Sequence, residues 1–483
     1  MKKDVIIIGA GAAGLMAGVA AAQNGHRVTI LEKNEKAGKK IYITGKGRCN
    51  LTNDCATEDF FGYVARNHKF LYSAVYGFDH EMVKAFFEES GCPLKVERGN
   101  RVFPVSDHAS DVTGALVRRL QQLGGKILCR TEVQEILTEE LDPAEEERGR
   151  HMRVCGVRLR NGKEIPADAV ILCTGGLSYP STGSTGDGLR FAEDLGLAVT
   201  PTAPSLVPFE TREQWCRDLQ GLALKNVAVR IYPQEEAPAE ETFETVEKNI
   251  DEQDSVRDGD PADAGMRSED EDDHTAGTQK TGGKAGRKTG RTKKKRKNRP
   301  VYEAFGELLF THFGLSGPII LTASCYCDFA QYPQGFRLLL DLKPALTQEQ
   351  LQERIAREFG AAPNRHLPGA VRPLFPARLA EAVTELSGLG TERRAASFTE
   401  QEISALAALI KSVPVAVTGT RDYNEAIVTR GGISVREFDP STMESRRVAG
   451  LFAAGEVLDV DAQTGGFNLQ IAWSTGHLAG NSI

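Results

Sequence analysis

Residues 4–14 read DVIIIGAGAAG, and this short stretch decides the fold. Its run of valine and isoleucine is typical of a strand that is buried on both faces of a parallel sheet. Residues 12–24 are rich in alanine and suit a helix that ends at Gly25. Residues 27–31, RVTIL, are apolar enough to form the next strand. The stretch therefore predicts a βαβ unit.

The pattern G-x-G-x-x-G follows this first strand directly and opens the helix. Gly9 permits the tight turn, Gly11 lets the backbone approach a pyrophosphate, and Gly14 allows helix and strand to pack closely. The amino terminus of the helix offers unpaired N–H groups and the positive end of its dipole to phosphates. Glu32, at the end of the second strand, can accept hydrogen bonds from ribose hydroxyls, and its charge disfavours the 2′-phosphate of NADP. We predict a dinucleotide site that contains these four residues and Ala13.

A basic, glycine-rich loop continues from this unit, with the sequence GKKIYITGKGRCN at 38–50. A pyrophosphate needs cations and flexible backbone, and the loop supplies both. On charge alone, the alternative is an ordinary solvated loop. The cations of the loop are Lys39, Lys40, Lys46 and Arg48.

Further glycine patches follow strands later in the chain. Residues 169–176, AVILCTGG, read as a strand that ends in glycines, and so do residues 450–456, GLFAAGE. Glycines at the carboxyl ends of strands suit the crevice where α/β sheets bind ligands. The segment TGGFNLQ at 464–470 leads into the last helix, which predicts a second helix terminus aimed at an electron-rich group such as a flavin carbonyl. The residues that we single out here are Thr174, Gly175, Gly455, Glu456 and Gly466.

Long motifs in this chain resemble the BaiN/RdsA-type FAD-dependent oxidoreductases, which are also described as aminoacetone-oxidase-like flavoproteins. The resemblance covers nearly the whole chain except 235–299. It implies an α/β fold in which a discontinuous Rossmann-like FAD-binding domain carries an inserted β-rich, barrel-like domain and a helical cap. The motifs are GAGAAG…LEK…GKK…TGKGRCNLTN, CTGGLSYPSTGSTGDG, LLFTHFGLSGP and TRGGISVREFDPSTMESRRVAGLFAAGEVLDVDAQTGGFNLQIAWSTG.

The same resemblance implies positions for the cofactor residues. Glu32 and Lys33 lie at the adenosine of FAD, and Val133 falls where related flavoproteins pair their backbone with adenine. The residues implied along the pyrophosphate and flavin are Lys40, Gly45, Gly47, Arg48, Cys49 and Asn50. Those implied over the ribityl chain and ring are Glu456, Asn468, Leu469 and Gln470.

The pattern of elements divides the chain into four segments. Strands and helices alternate at first, then short strands with proline and glycine dominate, and helices follow before strands return. We predict single helices at 66–90 and 107–123 and a strand at 126–137. The predicted segments are 1–195 and 412–483 for the two parts of the FAD-binding domain, 196–345 for the β-rich substrate domain and 346–411 for the helical cap.

One segment has the composition of a disordered insertion. From Glu235 to Asp273 there are 17 acidic and three basic residues, and from Gln279 to Arg299 there are 11 lysines or arginines and no acid. Such a stretch buries too little apolar surface to offset the entropy lost on ordering. We therefore predict that 235–299 is disordered. Its basic run could contact nucleic acid, but a solvated loop that pairs with its own acidic half is the interpretation we favour.

Composition limits the class of protein. The chain has 483 residues, 40% of them hydrophobic, and a net charge of −7, which indicates a globular protein with no overall bias toward nucleic acid. Nine scattered cysteines without a C-x-x-C pattern predict a reduced, cytoplasmic protein without a structural metal or a disulfide-reductase site. No apolar stretch is long enough to span a membrane. We expect a small-molecule substrate and make no prediction of the oligomeric state.

The reaction is suggested by the resemblance. We expect FAD to reduce a carbon–carbon double bond conjugated to a ketone in a steroid-like bile acid, with NAD(P)H as a transient donor. The alternatives are oxidation of a small amine such as aminoacetone and a flavin-containing nucleic-acid-associated or regulatory protein. His312, in the turn-like segment THFG, is the candidate proton donor, although a purely structural histidine fits the pattern as well. The loop Gly183–Gly188 either faces the flavin or substrate or forms a surface turn.

Overall fold

The structure is a computed structural model that describes residues 2–141, 150–234 and 299–483. Its strands are β1 (Asp4–Ile8), β2 (Arg27–Leu31), β3 (Thr52–Asn53), β4 (Leu94–Glu97), β5 (Arg101–Pro104), β6 (Lys126–Leu128), β7 (Val133–Glu140), β8 (Met152–Leu159), β9 (Glu164–Pro166), β10 (Ala169–Leu172), β11 (Val199–Ser205), β12 (Phe209–Thr211), β13 (Ala223–Pro233), β14 (Tyr302–Thr311), β15 (Gly314–Ser316), β16 (Phe336–Asp341), β17 (Val413–Thr420), β18 (Val428–Ile433), β19 (Val448–Ala449) and β20 (Leu451–Ala453). Its α-helices are α1 (Ala12–Gln23), α2 (Thr57–Phe60), α3 (Tyr72–Gly77), α4 (His80–Glu89), α5 (Ala109–Gln122), α6 (Asp187–Asp194), α7 (Gln214–Asp218), α8 (Pro318–Ser324), α9 (Gln348–Ala361), α10 (Leu367–Val371), α11 (Ala377–Leu386), α12 (Glu400–Lys411) and α13 (Phe467–Asn481).

A five-stranded parallel sheet organises the first part of the fold, with strand order β20-β10-β1-β2-β6. Its central strand β1 is buried on both faces, because the successive residues Val5, Ile6, Ile7 and Ile8 point to alternate faces and all four are buried. The edge strand β20 comes from the last part of the chain. The sheet is therefore a Rossmann-type sheet assembled from both ends of the sequence, and the predicted discontinuous fold is confirmed.

Helices α1 and α13 pack against each other through two glycines of α13. A Cβ added to Gly476 would lie 2.4 Å from the carbonyl oxygen of Ala13, and one added to Gly480 would lie 2.4 Å from that of Ala17. Only a hydrogen at these positions lets the two backbones come so close. The last helix of the chain is therefore fixed beside the first.

A closed six-stranded barrel, β12-β15-β14-β13-β16-β17, forms the second part. Alternate residues of β13, such as Val229 and Ile231, are fully buried inside it, which is the period-2 pattern of a strand with one apolar face. The buried side chains of α9 and α12, including Leu351 and Leu406, belong to the same hydrophobic core as the barrel. The barrel and the helices agree with the predicted fold class.

Two local predictions were wrong, and one short helix was missed. The single helix predicted at 66–90 is broken at Phe78, because the Asp79 side chain accepts a hydrogen bond from the backbone of Met82 (3.0 Å) and starts α4 anew. The strand predicted at 126–137 is two strands, since Arg130 adopts a positive φ of 52° between β6 and β7. The short helix α10 was not predicted.

The predicted disordered insertion, 235–299, lies outside the described residues except for Arg299. All nine cysteines are described, and none of them forms a disulfide. Within the described ranges, no helix has the length and apolarity needed to cross a bilayer.

Candidate active site

The turn between β1 and α1 has three glycines with three different tasks. Gly9 has a φ of +103°, and a Cβ there would meet the carbonyl oxygen of Cys173 at 2.5 Å. A Cβ on Gly14 would lie 1.9 Å from the carbonyl oxygen of Gly9, so Gly14 is a packing position. Gly11 is the amino-terminal cap of α1, and a Cβ there would find no atom of the described residues within 4 Å beyond its immediate neighbours. Gly11 therefore faces open space, where a ligand can approach the first turn of α1.

The carboxylate of Glu32 holds this turn in place. It is buried, with 8% of the residue exposed, and it accepts hydrogen bonds from the backbone N–H of Ala10 (2.8 Å) and Asn34 (2.8 Å). Val133 lines the same part of the cavity. Lys33 contacts the other side of this region, since its ammonium group lies 2.6 Å from the Asp187 carboxylate at the start of α6. These residues border the end of the cavity where the family resemblance implies the adenosine of FAD.

We expect Glu32→Ala to weaken FAD binding about tenfold or more while the protein stays folded. The change removes the predicted ribose acceptor and also the anchor of the glycine turn, and a hydrogen bond to a charged group is worth about 1.5–3 kcal/mol. Fluorescence titration of the apoprotein with FAD measures the effect. Glu35→Ala is the matched control, because Glu35 is exposed and its one ion pair among the described residues is with the neighbouring Lys39 (3.4 Å). Equal FAD affinity in both variants would mean that the ribose lies elsewhere.

The second glycine turn lies at the start of α13. Gly466 has a φ of +101°, and a Cβ there would lie 2.4 Å from the carbonyl oxygen of Thr52. Gly466, Asn468 and Leu469 line the same cavity as Gly9 and Gly11. The side chain of Asn468 is engaged with its own loop, because it accepts from the Ala462 N–H (2.9 Å) and donates to the Ala462 carbonyl (2.7 Å). The structure thus brings the predicted turns from the two ends of the chain to one cavity.

A partly buried polar network links the basic loop to the second half of the site. The Lys40 ammonium group lies 2.6 Å from the Ser178 hydroxyl and 2.7 Å from the Glu456 carboxylate, which also accepts from Ser178 (2.6 Å) and from the Thr429 N–H (2.9 Å). Burial by itself raises the pKa of Glu456, but the Lys40 ammonium and these hydrogen bonds outweigh it and hold the pKa below its ordinary value. Glu456 is therefore a carboxylate at neutral pH.

The other residues of the basic loop differ from one another in their surroundings. Asn50 lines the cavity, and its buried side-chain oxygen has no hydrogen-bond partner in the part of the chain that the structure describes, which suits an N–H donor on a ligand. Arg48 also lines the cavity, but its guanidinium group pairs with Glu97 and Asp107 and lies 4.1 Å from the centre of the Phe103 ring. The charge of the Arg48 side chain is therefore largely neutralised within the protein, which makes Arg48 less available to bind a phosphate group.

The cavity has a volume of about 1530 Å³ and extends from the glycine turns to the barrel. Its volume exceeds the range of about 300–1,000 Å³ that is usual for a small-molecule site, so it has room for a cofactor and a substrate together. The wall on the barrel side is largely apolar. Its residues include Leu206, Phe305, Leu309, Ile319, Leu321 and Ile427.

Most of the predicted site residues line this cavity. They are Gly9, Gly11, Ala13, Glu32, Lys33, Lys40, Gly45, Arg48, Asn50, Val133, Thr174, Gly175, Glu456, Gly466, Asn468 and Leu469. Part of the loop Gly183–Gly188 lines it as well.

Six predicted residues do not line the cavity: Gly14, Gly47, Cys49, Gly455, Gln470 and His312. Cys49 is fully buried, and burial raises the pKa of its thiol to about 12. Gln470 is also buried and donates to the carbonyl oxygen of Phe78 (2.9 Å). His312 is exposed, with its ring against that of Phe313 (centroids 4.8 Å apart).

Several lining residues were not predicted. Tyr63, Arg98, Arg101 and the barrel residues come from segments that are distant in sequence, so no local pattern marks them. Asn53 is the exception, because it stands in the motif TGKGRCNLTN. Among the described residues, one acidic group could hold a metal: Asp54, His80 and Glu81. The ammonium group of Lys84 already contacts both of its carboxylates.

The residues present fit FAD. At Gly11 the backbone leaves space that a side chain would fill. The buried oxygen of Asn50 lacks a donor among the described residues. Two glycine turns open onto the same cavity.

Comparison with known proteins supports this assignment. The chain is 29% identical over 472 residues to the ribosomal RNA dihydrouridine synthase of Escherichia coli (strain K12), covering 98% of this chain and 96% of that protein. It is 28% identical over 480 residues to the Haemophilus influenzae protein of the same name, covering 99% and 98%. It is 27% identical over 480 residues to the 3-dehydro-bile acid delta(4,6)-reductase of Clostridium scindens, covering 99% and 98%.

The family model described as HI0933-like protein Rossmann domain matches residues 3–482. The chain belongs to this family of FAD-dependent oxidoreductases.

Proposed function

We propose that the protein is a reductase that adds hydrogen across a carbon–carbon double bond conjugated to a carbonyl group. The observation that carries this proposal is the continuous cavity, which has glycine turns at one end and an apolar barrel wall at the other. Bound FAD would supply the hydride. The relatives' names describe this one kind of chemistry on two substrates, since dihydrouridine is uridine reduced at such a bond.

The residues of the chain would then divide the work by position. The first turn of α1, with Glu32 and Val133, would hold the adenosine and pyrophosphate, and Lys40, Asn50 and Glu456 would orient the other half of FAD. The barrel wall would exclude water around the reacting double bond, which strengthens every electrostatic interaction there. In this proposal, 1–195 and 412–483 bind the cofactor, 196–345 receive the substrate and 346–411 cap the barrel.

The substrate that we favour is a uracil ring within RNA. Three exposed cations, Lys46, Arg98 and Arg101, line the cavity, and a phosphate backbone is the polyanion that they suit. This choice departs from our expectation that nucleic acid is not a partner. The second candidate is the steroid-like enone expected from the sequence, and the apolar wall favours it.

An anaerobic reduction assay separates these candidates. The flavoprotein is incubated with NADH or NADPH and either an unmodified ribosomal RNA transcript or a steroid enone. Mass spectrometry of RNA digests detects uridine that has gained two hydrogens, and absorbance follows loss of the enone. We expect donor-dependent formation of dihydrouridine. Reduction of the enone alone would select the second candidate. If neither substrate is reduced and the flavoprotein consumes oxygen with aminoacetone in a separate aerobic assay, the proposal is overturned in favour of an amine oxidase.

His312→Ala tests the remaining sequence candidate for proton donation. Because His312 is exposed and does not line the cavity, we expect turnover to stay within roughly twofold of the wild type. A general acid accelerates a reaction about 10²–10⁴-fold. A loss of turnover of that size in the reduction assay would therefore show that His312 acts as the proton donor.

A further inference from the structure

Six aromatic rings, which we call the aromatic row, form a continuous path from the cavity to the surface. Tyr63 lines the cavity and stacks on Phe467, with centroids 4.3 Å apart and planes 12° apart. Phe60 joins Phe467 to Phe61 by edge contacts at 5.7 and 5.6 Å. Phe61 in turn contacts the two outer rings at 4.6 and 5.5 Å. The outer rings are Tyr72 and Tyr76.

The tyrosines of this row are unusually open to solvent. Tyr63 is 38% exposed, Tyr72 42% and Tyr76 51%. Large aromatic rings that lie together at a surface mark binding sites, because their burial by a partner is strongly favourable. Phe305, on β14, adds a ring that is 64% exposed and also lines the cavity.

Three cations, Lys46, Arg98 and Arg101, form what we call the basic rim. All three are exposed and line the cavity, and no carboxylate within the described ranges forms an ion pair with them. Arg98 stands in the turn between β4 and β5. The neighbouring cations differ, since Arg48 and Lys95 are both paired with Glu97 and Asp107.

The basic rim and the aromatic row are joined by one side chain. The amide of Asn53 donates to the carbonyl oxygens of Gly99 (3.2 Å), beside Arg98, and of Gly465 (3.0 Å). Gly465 is packed against the ring of Phe467, because a Cβ there would lie 2.7 Å from that ring. Stacking surfaces and unpaired cations therefore meet at the cavity.

We propose that the aromatic row and the basic rim bind the unpaired RNA strand that flanks the reduced base. Bases stack on Tyr72 and Tyr76, and phosphates contact Lys46, Arg98 and Arg101. This assignment rests on the proposed function and adds the surface that makes RNA, rather than a free small molecule, the substrate. Unpaired bases stack on aromatic side chains without regard to sequence, and the rim supplies the cations that follow the backbone.

The test measures binding of a fluorescein-labelled oligouridylate of about twelve nucleotides to the flavoprotein by anisotropy. Tyr72→Ala/Tyr76→Ala should raise the Kd about tenfold or more, and Tyr72→Phe/Tyr76→Phe should bind like the wild type, because the rings remain. Arg98→Ala/Arg101→Ala should make the slope of log K against log salt less negative by about 1.4, since two phosphate contacts are lost. Arg357→Ala, an exposed arginine of α9 away from the cavity lining, is the charge control.

The outcomes separate this surface from the reaction. If RNA binding responds as expected but uridine gains no hydrogen, the proposed function fails and the binding surface stands. If ribosomal RNA is reduced and bound equally well by the wild type and both alanine variants, the surface assignment fails. A changed oligomeric state with unchanged RNA affinity would also overturn it and make the aromatic row a self-association face.

Discussion

Gly11→Val yields a folded, colourless protein that takes up no FAD. A Cβ at Gly11 contacts no other described residue within 4 Å, and the backbone angles there (φ −81°, ψ −167°) suit any residue, so valine enters the cavity without disturbing the fold. Its side chain then occupies the space through which a pyrophosphate reaches the first turn of α1. Absorbance of the purified variant and titration with FAD measure the loss, and thermal unfolding of both apoproteins verifies the fold.

Gly14→Ala is the informative comparison for that variant. Its added Cβ would lie 1.9 Å from the carbonyl oxygen of Gly9, so the loss here is one of stability rather than of space for a ligand. A yellow Gly11→Val protein with ordinary FAD affinity would refute the position that we give to the pyrophosphate.

Lys40→Met destabilises the apoprotein by about 1–3 kcal/mol at neutral pH, because it leaves the Glu456 carboxylate without its cation. The double variant Lys40→Met/Glu456→Gln recovers much of this loss, since no charge is then unpaired. Urea unfolding of the apoproteins measures both changes. Equal unfolding free energies for the wild type and Lys40→Met would mean that the ion pair between Lys40 and Glu456 does not stabilise the protein.

The effect of Lys40→Met also depends on pH, and its sign follows from the direction of the pKa shift. The pKa of Glu456 is lowered in the folded state, so its contribution to stability is fully present above the ordinary value of 4.5 and is lost as pH falls through the folded pKa. Without Lys40 the pKa of Glu456 rises, so as pH falls Glu456 is protonated in the variant before it is protonated in the wild type. Protonation removes the unpaired charge that destabilises the variant. The difference in unfolding free energy between wild type and variant should therefore shrink as pH falls from 7 toward 4.

The sequence predicted the elements whose causes are local. The turn at Gly9, Gly11 and Gly14 follows from steric rules that act within six residues, and the apolar run of β1 specifies a buried parallel strand by itself. The convergence of the first and last helices was also expected, because Gly466 opens a helix as Gly11 does. The close packing of Gly476 and Gly480 on α1 explains how the two ends meet.

What the sequence could not predict depends on contacts between distant segments. From the sequence, Arg48 was expected to bind a phosphate group. In the structure its guanidinium group pairs with Glu97 and Asp107, which lie 49 and 59 residues away in sequence. Gln470 reads as a cofactor residue, but the carbonyl oxygen of Phe78 binds its side chain inside the protein. The barrel wall, the basic rim and the aromatic row are likewise assembled from segments that no local pattern connects.

The flavin content of the purified protein is the most direct measurement of whether turns from both ends of the chain enclose one cofactor. The chromophore is released by denaturation, identified by mass and compared with the amount of protein, before and after incubation with FAD. We predict about one FAD per chain in the wild type and none in Gly11→Val. A wild-type protein that is colourless as purified and binds no FAD when it is supplied would contradict the account.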